Sequence, residues 1–140
     1  MSADLEAIME ALFTHVTARV TSFVNSDRRV KHWTQVPDQP AFYLRRIGMT
    51  DHHDGSLSIT TMECEAWIYC NAGEAPDVAP DSVLTGLEKE VRDSLAPDDD
   101  DRFTIGGLVY WCRIEGHSDI SPGDQGPQAI ARIPIRITIP

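Results

Sequence analysis

The residues best equipped for chemistry fall into a few local clusters. Asp51, His52, His53 and Asp54 combine carboxylates and imidazoles, the side chains that hold a divalent metal. Adjacent histidines on a turn point in different directions, and metal sites gather ligands from several elements with outer-shell support. This set is therefore expected to be a solvated hairpin tip. His117 and Asp119, close to Glu115, have the spacing of a proton-transfer pair, but nothing resembling a nucleophile or an oxyanion donor stands beside them. The acidic run of Asp98, Asp99, Asp100 and Asp101 after Pro97 lacks the alternating ligands, glycine and distal glutamate of a calcium loop, and is expected to be a solvated loop. His15 lies next to an apolar helical stripe and is expected at a surface or boundary position. There is no GxSxG, P-loop, HExxH or CxxC pattern, and the glycines of residues 104–108 (TIGGL) lead into strand character, so no helix N-terminus is offered to a phosphate. The expectation is a protein that is not an enzyme, with no catalytic residue, metal or cofactor; a small metal-dependent hydrolase built on Asp51, His52, His53 and Asp54 is the least favoured alternative.

Composition narrows the partners. With 12 Lys and Arg against 22 Asp and Glu, the 140-residue chain has a formal charge of −10. A general nucleic-acid binder needs clustered cations to neutralise phosphates, so free duplex DNA is not expected as a ligand. Cys64, Cys70 and Cys112 each occupy a strand position suited to a small apolar residue, which predicts buried thiols in a reducing compartment rather than disulfides. No charged-then-apolar leader and no run of 18 apolar residues is present, so a soluble protein made inside the cell and independent of membranes is expected. The length suits one domain over residues 1–140 with an ordinary core.

The elements that would position these groups follow from periodicity. Residues 57–71 (LSITTMECEAWIYCN) form the longest stretch with strand character and neither Pro nor Gly. At period two, Thr60, Met62, Cys64, Ala66, Ile68 and Cys70 share a core face, and Ile59, Thr61, Glu63, Glu65, Trp67 and Tyr69 share a face that must meet water or a partner, because its glutamates cannot be buried unpaired. Apolar residues at helical spacing predict a helix over 4–24 with Asp4 as N-cap, and a second over 81–95. Strands are predicted at 41–47, 103–115 and 128–139, the first joined to the long strand by a 50–56 turn with an Asp54-Gly55 signal. In 103–115, Leu108, Tyr110, Cys112 and Ile114 alternate with Val109, Trp111, Arg113 and Glu115. Residues 25–40 and 116–127 read as loops. Pro134 in the last strand cannot complete a ladder on both sides and predicts an edge or a bulge. The fold class expected is α+β: a mixed or antiparallel four-stranded sheet packed with two helices, in the order α-β-β-α-β-β.

Several segments in order resemble one family. Residues 104–139 (TIGGLVYWCRIEGHSDISPGDQGPQAIARIPIRITI) show Gly-Gly entering a strand, an EG end, a glycine-containing loop, then a Gln-Ala opening and a Pro-Ile step in the last strand. Upstream, 40–44 (PAFYL) and 65–73 (EAWIYCNAG) precede a helix and then the Gly-Gly segment. This pattern is similar to that of the tail terminator proteins of long-tailed phages, also called tail completion or minor tail proteins. The resemblance implies a structural protein of the virion tail, made in the host bacterial cytoplasm. Such a protein assembles as a hexameric ring, caps the tail tube, ends its polymerisation and forms the surface for head attachment. Its implied partners are further copies of itself, the tail tube protein and head-tail connector proteins, with genome DNA passing through the lumen without specific binding. Another head-tail connector or a tail tube component is the nearer alternative. Subunit or tube contacts are expected from Trp67, Tyr69, Trp111, Arg113, Arg132 and Arg136 on the wet strand faces, and from the basic segment of Arg28, Arg29 and Trp33.

Overall fold

The computed structural model describes residues 4–36, 38–71, 80–121 and 128–139. Helix α1 (Leu5–Arg19) begins where the Asp4 side chain accepts a hydrogen bond from the Ala7 amide at 3.1 Å. It turns Ile8, Met9, Leu12 and Val16 into the core. The helix ends five residues before the predicted limit at residue 24. The chain must there turn to lay β1 (Asn25–Asp27) parallel to β2 (Ala41–Asp54), and the Val24 amide bonds the Pro40 carbonyl at 2.9 Å instead of continuing the helix. Phe23 still packs on Phe42, their ring centroids 5.3 Å apart, while Val24 is exposed.

β2 and β3 (Leu57–Asn71) form one long antiparallel hairpin, and β3 in turn pairs with β6 (Gln128–Ile139) along that strand's whole length. The chain between them supplies α2 (Pro80–Ser94), β4 (Trp111–Ile114) and β5 (Asp119–Ser121). The protein is α+β with two helices, and the sheet is mixed and six-stranded, ordered β1-β2-β3-β6-β4 with β5 also on β6. The predicted four strands miss β1 and β5, each three residues long and too short to show a period.

Three local expectations change. β2 continues to Asp54, so the turn is Gly55-Ser56 rather than Asp54-Gly55; glycine occupies the first central position at φ 61°, as a two-residue type II′ hairpin prefers. The predicted strand over 103–115 is a strand only at Trp111–Ile114. Residues 103–110 coil on themselves, and Val109 is buried whereas Leu108 and Tyr110 are exposed, the reverse of the predicted alternation. β6 is an interior strand, not an edge. The Pro134 carbonyl accepts from the Glu115 amide on the side away from β3, and N and O of one strand residue point the same way. The absent N–H therefore falls where the partner of β6 changes from β4 (up to Ile135) to β5 (from Arg132), and no ladder bond is lost to it.

Both helices lie on one face of the sheet. Buried there are Phe42 and Leu44 of β2, Met62, Cys64, Ala66, Ile68 and Cys70 of β3, the odd residues 129–139 of β6, Leu84, Leu87 and Val91 of α2, and Phe103, Ile105 and Val109 of the coil. Each buried Ile of β6 contributes roughly 1.5–3 kcal/mol. All three cysteines are in this layer and free. A smaller cluster of Val36, Ala41, Tyr43 and Tyr69 lies on the opposite face, where the segment after β1 folds over the end of the sheet.

Candidate interaction surface

The second face of the sheet carries the charged and aromatic residues. Period two on β3 sends Glu63, Glu65 and Trp67 outward; antiparallel pairing sets Arg45 opposite Glu65, Arg132 opposite Trp67 and Arg136 opposite Glu63, and places Trp111 and Arg113 on the same side of β4. Half-buried Trp67 is the centre. The Arg45 guanidinium lies 5.0 Å from its ring centroid on one side and Arg132 5.4 Å on the other. Glu65 Oε1 accepts from Arg45 Nε at 3.0 Å and Nη2 at 2.8 Å, and from Trp67 Nε1 at 3.2 Å, so one carboxylate fixes both neighbours.

The network continues across the sheet. Arg132 Nη2 donates to Asp119 Oδ2 at 3.1 Å, and Arg136 donates to Glu63 at 3.2 Å and Glu115 at 3.4 Å. Arg113 stacks over Trp111 at 4.0 Å and also donates to Glu115. Arg113 and Arg136 are directly opposite in the ladder, which would be repulsive without the carboxylate they share. The Arg113 hydrogen bond, with the two guanidinium charges, holds the Glu115 carboxyl below its ordinary range. Four guanidiniums thus meet four carboxylates, and this network around the two tryptophans is neutral in a chain whose formal charge is −10. Beside Trp67 an open hollow of about 330 Å³ is lined by Asp119, Ile120, Ser121, Ile130 and Arg132.

Of the residues expected at an interface, Trp67, Trp111, Arg113, Arg132 and Arg136 come together here. Tyr69 shares the face but is only 2% exposed: the segment after β1 covers it, and its hydroxyl donates to the Lys31 carbonyl at 2.6 Å. It is a packing residue of this chain, a correction to its expected exposure. Arg28 is turned to the helical side, where Nη1 bridges Glu6 at 2.9 Å and Glu10 at 2.6 Å of α1. Arg29 is exposed at a second hollow, and the Trp33 side chain lies outside the described residues. Sequence reasoning missed Arg45 and Asp119. Arg45 could have been found by registering 41–47 against the long strand; Asp119 had no signal, because β5 is recognisable only once β6 is beside it.

The other clusters disperse. Along β2, Asp51 and His53 point to one face of the hairpin and His52 to the other, the Asp54 side chain lies outside the described residues, and Asp51 accepts from Thr60 at 2.8 Å. Among the described residues no group of three or more His, Cys, Asp or Glu is placed to hold a metal. His117 meets Asp119 at 3.2 Å, but both are exposed and Asp119 is shared with Arg132. His15 joins the helices: Nε2 lies 2.6 Å from the Ser94 carbonyl and Nδ1 2.9 Å from Arg19, and the ring packs on Phe103. The acidic run is not simply solvated. Asp98 accepts from the Thr104 amide at 2.7 Å, the Thr104 hydroxyl at 2.8 Å and the Gly106 amide at 2.9 Å, closing a turn in which Ile105, Gly106 and Gly107 all have positive φ. That is what the TIGGL glycines permit. Among the described residues no helix is long and apolar enough to cross a membrane.

No protein-family model matches the chain, and no curated protein matches it.

Proposed function

We propose that the chain is a structural subunit of the tail-terminator kind. Copies assemble into a hexameric ring that caps the tail tube of a long-tailed phage, ends its polymerisation and presents the surface to which head-tail connector proteins attach. The role is architectural rather than catalytic. Its place is the virion tail after synthesis in the host cytoplasm.

The observation that carries self-assembly is the neutral aromatic face. Copies of a chain at −10 repel one another within the screening length of about 8–10 Å. Approach costs least where each guanidinium already has a carboxylate, and burying such pairs strands no charge. Trp67 and Trp111 supply rigid contact area at the centre of that face. A ring joins one patch to a different patch on the neighbour, closed by rotation. The resemblance of residues 40–44, 65–73 and 104–139 supplies the identity of the ring. Acidic surface left towards a lumen would repel the phosphate backbone and let DNA pass without specific binding.

Negative-stain images of the purified protein, alone and with tail tubes, test this reading. Discrete rings, alone or on tube ends, are the expected result. Long tubes formed by the protein itself would reassign it as a tube component, and a stable dimer that never caps tubes would overturn the proposal.

A further inference from the structure

The aromatic row on the outer face does not end at Trp67. Its ring meets Tyr69 with 6.1 Å between centroids, and Tyr69 meets Tyr43 at 5.5 Å, both edge-on. Tyr43 stands opposite Trp67 in the β2–β3 ladder, so alternation puts all three rings on one side of the sheet. Their exposure differs. Trp67 is half-buried, whereas Tyr69 is 2% and Tyr43 0% exposed. The seal is residues 28–36, a strap that leaves the end of β1 and crosses the row.

The strap is lightly held. Val36 is buried on Ala41, Tyr43 and Tyr69 with Val30 partly buried beside it, but Arg29, Lys31, His32, Thr34 and Gln35 are exposed. Strap carbonyls accept from the Tyr69 hydroxyl, at Lys31 and 2.6 Å, and from the Gln39 side-chain amide, at Val36 and 2.7 Å. So few buried apolar contacts mark a segment that opens locally well before the domain unfolds. Closure also carries a penalty. The Tyr43 hydroxyl is buried without a hydrogen-bond partner among the described residues, and so is Nε of Arg28 at the root of the strap. A hydroxyl stripped of water and left unpaired favours any state that returns it to water.

We infer that the strap is a lid on the self-association face: the next copy docks at Trp67, displaces residues 29–36 and takes their place over Tyr69 and Tyr43. Arg28, bridged to Glu6 and Glu10 of α1, remains as the hinge. The occupant is a second copy because the covered rings continue the face through which copies join in the function proposed above, and the inference rests on that reading. The area needed agrees. An aromatic side chain buries about 150–250 Å², so Trp67 and Trp111 bring roughly 300–500 Å² towards the approximately 800 Å² per side of a stable contact. Tyr69 and Tyr43 bring as much again. A chain with its strap closed therefore presents half of the aromatic contact, and its apparent affinity for another copy is the intrinsic affinity scaled by the fraction of chains that are open.

The test uses the full-length protein with Val36→Ala, which loosens the strap, and Tyr43→Phe, which removes the orphan hydroxyl and tightens it. Circular dichroism checks folding, sedimentation velocity reads assembly, and the rate of trypsin cleavage after Arg29 and Lys31 reads the open population. Val36→Ala should be cut about tenfold faster as a monomer and assemble about tenfold more tightly. Monomeric Tyr43→Phe should be cut about fivefold more slowly, which keeps the test open if Val36→Ala fails to fold. In the unmodified protein, assembly should speed cleavage of the strap, because a docked neighbour holds it off the sheet. A strap that assembly protects, a folded Val36→Ala that assembles no better, or unchanged cleavage of Tyr43→Phe would each overturn the lid and leave self-association standing. If the unmodified protein and Val36→Ala are both monomeric at every concentration and on tube ends, both readings are overturned.

Discussion

Replacing Trp67 by alanine separates the two demands on the outer face, stability within a chain and contact between chains. Within one chain the change removes two cation–π contacts, with Arg45 and Arg132, each about 0.5–1 kcal/mol at a partly exposed site. It also removes one hydrogen bond to Glu65, worth about 1 kcal/mol. Loss of the edge-on contact with the Tyr69 ring adds about 0.5–1.5 kcal/mol, and the total of about 2.5–4.5 kcal/mol stays below the roughly 5–15 kcal/mol that holds a domain together, so the monomer stays folded. Its Tm should fall by about 5–18 °C, allowing about 2–4 °C per kcal/mol at this size. Between chains, a central aromatic at a hot spot contributes about 2 kcal/mol or more, a loss of about 30-fold in affinity. Circular dichroism with urea titration reads the first quantity, and sedimentation with electron microscopy reads the second. Trp111→Ala should behave in the same way with a smaller loss of stability, its ring being stacked by Arg113 alone among the described guanidiniums. Asp99→Ala, which breaks an exposed pair with Arg102, should change neither readout. Assembly of Trp67→Ala within threefold of the unmodified protein would refute the reasoning. So would collapse of the monomer, which would make the face part of the internal packing.

Other outcomes follow from the core. Burial pushes the Cys64 thiol up to about 12 and raises those of Cys70 and Cys112, so a thiol reagent at pH 8 should label none of them until denaturant is added; rapid native labelling would contradict the register of β3 or β4. Tyr69→Phe removes the bond to the Lys31 carbonyl and should cost about 1 kcal/mol, with faster hydrogen exchange confined to residues 30–36. Burial pushes the Asp98 carboxyl up, but bonds from Gly106 and Thr104 outweigh it and leave it below its ordinary value of 3.8. The stability Asp98 supplies is therefore complete above pH 3.8 and fades as pH falls through the lowered folded value. Asp98→Ala should cost about 1–2 kcal/mol at neutral pH, and the difference from the unmodified protein should shrink in acid. Equal stabilities at pH 7 would show that the turn does not need this carboxylate.

How much of this was legible depended on the length over which a pattern repeats. The long strand showed its two faces because fifteen residues without Pro or Gly allow only one period-two reading, and the burial of Met62, Cys64, Ala66 and Ile68 follows it. The helices were visible for the same reason at their own period, and the thiols were placed because each lay on a core face. Charge set only the expectation that the chain is not a general nucleic-acid binder. What tertiary structure decided was everything set by a partner strand or a covering segment. The face of Tyr69 is identical in period to that of Trp67, yet one ring is sealed and the other half open, because the chain after β1 folds over only one end of the sheet. Asp98 looks no different from Asp99 in the sequence, but only its carboxylate meets two amides and a hydroxyl of the glycine turn. The neutral face itself required registration. Arg45, Glu65, Trp67 and Arg132 come from three strands and meet only through cross-strand pairing, which no local periodicity encodes.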